Sequence, residues 1–267
     1  MADDLNDEWW LNQEQEENEH KPSDDGILVL SESELAEEDG RSCKRKSEEG
    51  QKESKKKRKR KKITEELKQT GIKPGGPLDL MMALKKNFEN KLTASEWDEV
   101  SLEEDHFFEC NTDSLQPSIY LKQILPKWQK MLKKKKDLKP GSPMILVVAS
   151  SAVRSVELIR EINSFKGDNA KTAKLFAKHF KIEDHKKFLK KAVIQIGVGT
   201  PNRLNALLNS GALKLKSLNA LILDWNWRDI KSHRLIDIPE VRTDLMSLFR
   251  TFFSKQVKDR QCQIGLL

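Results

Sequence analysis

The charged residues of this chain are sorted by sign along its length, which limits where a hydrophobic core can form. The segment Met1–Asp39 holds 15 acidic residues and 1 basic residue, whereas Gly40–Lys62 holds 13 basic and 3 acidic residues. Residues 63–139 carry 13 of each sign, and Pro140–Leu267 carries 22 basic and 11 acidic residues. The first 62 residues have little to bury and predict a disordered acidic tail followed by a basic arm. We therefore expect a helical connecting region over 63–139 and a basic folded domain over 140–267.

The composition excludes several classes of protein. The longest clear apolar run, Met144–Ala149, is far shorter than the roughly 20 residues that a membrane-spanning helix needs. The acidic N-terminus does not resemble a signal peptide. Cys43, Cys110 and Cys262 form neither a disulfide framework nor a metal-ligand pattern, and the five histidines stand apart from cysteine or carboxylate clusters. We expect a soluble protein of a reducing compartment, with no metal, no cofactor and no membrane partner.

Two short segments of the acidic tail have the composition of docking sites. A run of four aliphatic residues flanked by acidic ones resembles a SUMO-interaction motif, which would add a strand to the edge of a partner's sheet. Its residues are Ile27, Leu28, Val29 and Leu30. An incidental apolar patch would give the same pattern. The pair Trp9-Trp10 is the second candidate, because exposed tryptophans are typical interface anchors.

The basic arm contains eight consecutive cations, a pattern typical of nuclear import signals and of nucleic-acid contacts. They are Lys55, Lys56, Lys57, Arg58, Lys59, Arg60, Lys61 and Lys62. A solvated linker is the alternative, but mutual repulsion makes this density costly without a partner. The arm predicts a nuclear protein that binds an import receptor.

Beyond the arm, the apolar spacing predicts one helix from Pro77 to Phe88 and another over Pro117–Lys135. The breaker pair Pro140-Gly141 then marks the expected domain boundary. Buried strands are predicted over Met144–Ala149, Ala192–Ile196 and Asn219–Leu223, with a last apolar stretch at Gln261–Leu267. Helices are predicted between and after them, over Val153–Phe165, Lys171–Phe180, Glu183–Lys191, Thr200–Gly211 and Pro239–Phe253. This alternation is typical of an α/β protein with a single parallel sheet flanked by helices.

Ligands of parallel sheets bind beyond the carboxyl ends of the strands. Here those positions are Ser150-Ser151, Gly197–Arg203 and Asp224–Arg228. The stretch 196–229 resembles the central part of the first RecA-like domain of DEAD-box RNA helicases, and the resemblance extends over 142–267, under half the chain. In that family a Thr-Pro-Gly-Arg motif opens a helix and grips RNA phosphates, and a later buried strand ends in Asp-Glu-Ala-Asp. The resemblance implies RNA contacts at Ser151, Arg154, Thr200, Pro201 and Arg203.

The sequence departs from the helicase pattern where ATP hydrolysis needs it. Nucleotide binding requires a glycine-rich loop that ends in Lys-Thr or Lys-Ser, and the one candidate glycine pair, Gly71 and Gly76, is followed by Pro77-Leu78. Asp224 keeps the first acid of the acidic motif, but Trp225 and Trp227 replace the catalytic glutamate and the second aspartate. The chain also ends near the place of the next helicase motif, with no second RecA-like domain. We expect no enzymatic activity.

An acidic tail, a basic arm and a degenerate helicase-like domain together resemble a small family of nucleolar proteins of the small-subunit pre-ribosome. The resemblance implies a non-enzymatic, RNA-binding accessory protein of the nucleus and nucleolus, with pre-ribosomal RNA and pre-ribosomal proteins as partners. The main alternative is a scaffold for protein interactions whose folded domain does not touch RNA, with Trp225 and Trp227 as an interface anchor. A third reading is an ATPase whose missing loop comes from a partner.

The start of the helix at Pro201 is the most specific candidate site. The Thr200 hydroxyl is expected to cap this helix, whose free N–H groups and dipole would attract an anion. Arg203 lies one turn further and could add a charge-assisted contact to phosphate. In the alternative, Thr200 only caps the helix and Arg203 is solvated.

Overall fold

The structure is a computed structural model that describes residues 74–134, 138–177 and 180–267. The predictions for the acidic tail, for the motif Ile27–Leu30, for Trp9-Trp10 and for the import signal Lys55–Lys62 lie outside the described residues. The described helices are α1 (Pro77–Phe88), α2 (Ala94–Val100), α3 (Pro117–Ile124), α4 (Trp128–Lys134), α5 (Ala152–Glu161), α6 (Asn163–Lys166), α7 (Ile182–Lys191), α8 (Pro201–Asn209), α9 (Pro239–Leu248) and α10 (Ser254–Lys258). The strands are β1 (Ile145–Val148), β2 (Thr172–Leu175), β3 (Ile196–Gly199), β4 (Ala220–Leu223) and β5 (Gln263–Leu266).

The five strands form one sheet in the order β2-β3-β1-β4-β5, and every pair is parallel. In the centre, Leu146 of β1 lies opposite Gly197 of β3 and Leu221 of β4. Phe107 forms a parallel bridge to Ile264 on the outer side of β5. The predicted fold class, a single parallel sheet flanked by helices, is confirmed.

Both faces of the sheet are buried, because alternate residues of each strand point into two hydrophobic clusters. On one face, Leu146 and Leu221 pack with the first cluster, which also takes residues from α1, α7, α8 and α9. On the other face, Val147 and Ile222 pack with the second cluster, which takes residues from α3, α4, α5 and α6. The helices of 77–134 thus share both clusters with the sheet, while the predicted boundary at Pro140 remains a prediction.

Two predictions near the first edge strand were wrong. Lys171–Phe180 was expected to be helical, but Thr172–Leu175 is strand β2, whose Ala173 and Leu175 are fully buried against β3. Strand pairing and burial override the helical propensity of the residue types in this short segment. The strand expected at Ala192–Ile196 instead begins at Ile196 and includes Gly197 and Gly199. Gly199 is required there because a Cβ would collide with the backbone carbonyl of Leu175.

Two predicted helices differ from the structure in their extent. The helix expected over Pro117–Lys135 is interrupted between Ile124 and Trp128, because Pro126 cannot continue it. The helix that begins at Pro239 runs on through a π-helical turn, Phe249–Phe253, into α10. In the described part of the chain, no helix is long and apolar enough to cross a membrane.

Candidate nucleic-acid interface

The predicted site residues follow three neighbouring strands at the carboxyl edge of the sheet. Ser151 follows β1 and precedes α5, Thr200 follows β3 and precedes α8, and Asp224 follows β4. The sheet order places β3 and β4 on either side of β1, so these residues share one edge. Their side chains have different surroundings on the two sides of β1.

Arg154 and Asp224 form a buried ion pair between α5 and the end of β4. Arg154 Nε donates to Asp224 Oδ2 at 2.9 Å, and Nη2 donates to Oδ1 at 3.1 Å. Arg154 is 6% exposed and Asp224 is 1% exposed. Nη1 of the same arginine donates to Glu157 at 3.2 Å and to Glu161 at 3.3 Å. Burial raises the pKa of the Asp224 carboxyl above its ordinary value, and the guanidinium opposes that shift.

The indole of Trp227 covers this ion pair, with the Arg154 guanidinium carbon 5.1 Å from the ring centroid. The guanidinium is therefore engaged by three carboxylates and by one aromatic face. This placement argues against the predicted phosphate contact by Arg154. Ser151 has a structural role beside it, because its hydroxyl accepts the backbone N–H of Arg154 at 3.2 Å and caps α5.

Trp225 is 1% exposed and belongs to the first hydrophobic cluster. It does not form the exposed anchor that the scaffold hypothesis expected. The segment before α1 lies against it: Gly75 N donates to Asn226 Oδ1 at 2.7 Å. A Cβ at Gly75 would lie 2.7 Å from Trp225 Nε1, so the backbone crosses this end of β4 at close range. The guanidinium of Arg234 lies over the same indole, 5.9 Å from the ring centroid.

The loop 109–116, between Phe107 and α3, lies at the same carboxyl edge of the sheet. The sequence analysis did not identify this loop as part of the candidate site. Phe107 pairs with Ile264 of β5, so residues 109–116 follow a strand-like segment and lead into a helix. The Asn111 side chain closes this loop, accepting the Leu115 N–H at 2.7 Å and donating to the Leu115 carbonyl at 3.1 Å. The loop contains neither glycine nor lysine. The polar turn residues directly before Pro117 were the available sequence signal.

The third part of the edge lies at the start of α8. Thr200 occupies the N-cap position and Pro201 the first helical position, as predicted, but the Thr200 hydroxyl makes no capping hydrogen bond. The capping prediction was therefore wrong. Pro201 is buried, whereas Thr200 and Arg203 are partly exposed. Arg203 Nη1 lies 3.2 Å from Nδ1 of His185, a fully buried residue of α7.

His185 is a second residue that the sequence analysis missed. Its Nε2 lies 2.8 Å from the carbonyl oxygen of Lys174 in the edge strand β2. Burial lowers the pKa of the His185 imidazole, and the Arg203 charge acts in the same direction. The spacing of His185 and the buried Leu189, four residues apart on α7, was the signal that this histidine faces inward.

The neighbouring helix α7 carries four lysines and the acidic residues Glu183 and Asp184. Helix α7 contacts α8, and the exposed lysines Lys181, Lys187 and Lys190 lie on or directly before α7. Lys186 on the same helix is paired with Glu183 at 2.7 Å. The described residues contain no cluster of side chains suited to a metal ion.

These features define a parallel α/β protein whose carboxyl edge is filled by its own side chains beyond β1 and β4 and carries the partly exposed Arg203 beyond β3. A family model described as "CMS1: U3-containing 90S pre-ribosomal complex subunit" matches residues 29–267. The chain belongs to this CMS1 family, which confirms the resemblance to a pre-ribosomal family.

Two curated relatives agree with this assignment over the whole length, and a third over about half of it. The human Protein CMSS1 is 36% identical over 281 residues, covering 100% of both chains, and the Xenopus laevis protein of the same name is 38% identical over 287 residues, again covering 100% of both. Protein CMS1 of Chaetomium thermophilum is 38% identical over 130 residues, which span 48% of this chain and 52% of the relative.

Solved structures that are similar to this chain include a DEAD box protein from Methanococcus jannaschii. It is 22% identical with a TM-score of 0.32, over 49% of this chain and 32% of that one. Saccharomyces cerevisiae dbp5, in a structure with nup159 and gle1, is 13% identical with a TM-score of 0.34, over 72% of this chain and 46% of that one.

Proposed function

We propose that this protein is a non-enzymatic, RNA-binding subunit of an early pre-ribosomal complex in the nucleolus. The family to which it belongs supplies the pre-ribosomal context. The observation that carries the RNA contact is the start of α8, where the partly exposed Arg203 and an uncommitted Thr200 hydroxyl flank the helix N-terminus. Helix α7, which contacts α8, carries four lysines and two acidic residues.

The proposed contact is made to the RNA backbone. The first N–H groups of a helix have no intrahelical acceptor, and the helix dipole favours an anion at this end. The Thr200 hydroxyl can donate to a phosphate oxygen, and Arg203 can add a charge-assisted contact. Contacts of this kind position a strand without reading its sequence, and they weaken as salt rises.

Absence of ATPase activity is the second part of the proposal. A phosphate-binding loop presents free backbone N–H groups, helped by glycines and a lysine. In the loop 109–116 the Leu115 N–H is already bonded to Asn111, and Asp113 adds a negative charge. Trp225 cannot activate water in place of a glutamate. Purified protein should not hydrolyse ATP with or without RNA; RNA-stimulated hydrolysis that Asp224→Ala abolishes would contradict this part.

The RNA contact can be tested by removing single side chains from the full-length protein. The cations of Lys55–Lys62 are replaced by glutamine, giving an arm-neutral protein in which one lost contact is measurable. Arg203→Ala should then weaken binding about fivefold for unrelated RNA sequences. It should also lower the salt slope by about one phosphate contact.

The matched control is Lys216→Ala, which removes one exposed cation before β4, at the opposite edge of the sheet. This control should change the salt slope of RNA binding less than Arg203→Ala does. Equal binding by the parent, Arg203→Ala and Thr200→Ala proteins would show that the start of α8 does not bind RNA. The full chain is used because helices of 77–134 share both hydrophobic clusters with the sheet.

A second candidate function is a scaffold for pre-ribosomal proteins, and exposed apolar side chains favour it. Leu78 is 60% exposed, Met82 is 69% exposed and Ile230 is 88% exposed. Leu78 and Met82 are four residues apart on α1 and share one face. Replacing both with serine should release the protein from purified pre-ribosomal particles if this function holds, and should leave RNA affinity unchanged.

Nuclear import and SUMO binding remain proposals that rest on the sequence. Replacing Lys55–Lys62 with neutral residues should shift the protein towards the cytoplasm if an import receptor binds this arm. Unchanged nuclear accumulation would show that import uses another segment or a partner. Binding of SUMO should be lost when Ile27–Leu30 are replaced by alanine.

A further inference from the structure

A buried histidine connects the proposed RNA-contacting arginine to the edge strand of the sheet. His185 has no exposed surface, and each of its ring nitrogens faces a neighbour. Nε2 lies 2.8 Å from the Lys174 carbonyl oxygen, and Nδ1 lies 3.2 Å from Arg203 Nη1. The carbonyl oxygen of Lys181 is further from Nδ1, at 3.4 Å. The ring therefore lies between β2 and α8.

The partners of the ring determine its tautomer. A carbonyl oxygen only accepts hydrogen bonds, so the short contact to Lys174 requires the proton on Nε2. Burial favours the neutral imidazole, which leaves a lone pair on Nδ1. The Arg203 guanidinium can only donate, so the contact between Nη1 and Nδ1 is a hydrogen bond from arginine to histidine.

We propose that His185 is a positioning residue that holds the Arg203 guanidinium through Nδ1, so that it faces a phosphate at the start of α8. This inference rests on the proposed RNA contact. A guanidinium has five N–H donors, and one bond to His185 leaves others for a phosphate oxygen. An arginine held in one orientation loses less conformational freedom when it binds than a fully solvated one.

Two conservative variants separate this role from a merely structural one. His185→Gln places an amide N–H where Nε2 lies and can keep the bond to Lys174, but it offers no acceptor at the Nδ1 position. His185→Asn places an acceptor near the Nδ1 position but does not reach Lys174. RNA affinity and thermal unfolding are measured for both in the arm-neutral, full-length protein, at a temperature where each is folded.

We expect His185→Gln to weaken RNA binding about threefold. His185→Asn should bind RNA more like the parent while being less stable, because it loses the bond to the edge strand. In the Arg203→Ala background, His185→Gln should cause no further loss of affinity, since the residue acts only through the arginine. A structural role alone would instead make affinity follow stability in both variants.

The outcomes distinguish this inference from the proposed function. If Arg203→Ala weakens RNA binding but His185→Gln does not, the positioning role is refuted while the RNA contact stands. If Arg203→Ala has no effect, the RNA contact itself is refuted. Imidazole ¹⁵N NMR of the unmodified protein provides a test that needs no variant: a proton on Nδ1 of neutral His185 would overturn the proposal.

Discussion

The two sides of the carboxyl edge use the same kinds of residue in opposite ways. Beyond β1 and β4, Arg154 is bonded to three carboxylates, and Trp225 is buried under the segment that precedes α1. Beyond β3, Arg203 is partly exposed and is held by one neutral histidine. An arginine surrounded by carboxylates stabilises the fold, whereas an arginine held by an imidazole keeps its charge available to an anion. The comparison shows that the partners of a cation determine what it can bind.

The β4 side also shows a carboxylate whose two oxygens are both used within the fold. Asp224 keeps its place at the end of the strand, but its two oxygens accept from Arg154. The neighbouring loop 109–116 is closed by two hydrogen bonds between the Asn111 side chain and the Leu115 backbone. Among the described residues on this side, the buried Trp225 Nε1 group has no hydrogen-bond acceptor.

The largest effect is expected from breaking the ion pair between Arg154 and Asp224, beyond β1 and β4. Asp224→Ala leaves the buried Arg154 guanidinium with only Glu157 and Glu161 as partners, at longer distances. This should lower the free energy of unfolding by about 3–5 kcal/mol. Denaturation by urea measures the loss. The double variant Arg154→Met, Asp224→Leu is the control, because it removes both charges and should be much less destabilised. Equal losses in the single and double variants would contradict a paired role.

The next effect concerns the close approach of backbone to indole at the same end of β4. Gly75→Ala brings a Cβ to 2.7 Å from Trp225 Nε1 and 2.8 Å from Asp79 Oδ2. The backbone or the indole must shift to avoid these contacts, and this should lower the free energy of unfolding by about 1–3 kcal/mol. Gly76→Ala is a matched control one residue away, since its Cβ would meet only Cys110 Sγ at 3.9 Å. Similar Tm values for the two variants would show that the segment is not held against Trp225.

The stability of the protein is expected to depend on pH through His185, which contacts Arg203 beyond β3. The pKa of His185 is lowered by burial, so the unfolded chain binds a proton that the folded chain does not. Stability should be full above the unfolded histidine pKa of about 6.5 and should fall as the pH drops below it. The slope contributed by one group is at most about 1.4 kcal/mol per pH unit. His185→Gln should remove this contribution, and an unchanged profile in that variant would assign the acid sensitivity to other groups.

Sequence alone predicted the alternation of strands and helices well, because short aliphatic runs such as β1 and β4 are buried on both faces. The prediction was wrong at β2, because Lys174 and the residues around it favour a helix by type. The segment is a strand because it pairs with β3. The sequence also did not show that Arg154 and Arg203 have different roles, because both follow similar strand ends. Their different partners come from Asp224 and His185, which lie 70 and 18 residues away in sequence. Spacing within a motif does not contain that information.

The smallest effect compares the two hydroxyls that begin helices at this edge. The Ser151 hydroxyl accepts the Arg154 N–H at 3.2 Å and caps α5, whereas the Thr200 hydroxyl makes no capping bond. Ser151→Ala should therefore lower the free energy of unfolding by about 1 kcal/mol. Thr200→Ala should change it by less than about 0.5 kcal/mol, as expected for a surface substitution that removes no hydrogen bond. RNA affinity should show the reverse order, with a loss in Thr200→Ala and none in Ser151→Ala, because a donor that is not used within the fold remains available to a phosphate. Titrations of the arm-neutral protein at several salt concentrations, read beside urea denaturation of the same samples, measure both quantities. A loss of RNA affinity in Ser151→Ala as large as that in Thr200→Ala would show that the two sides of the edge do not differ in the way their partners indicate.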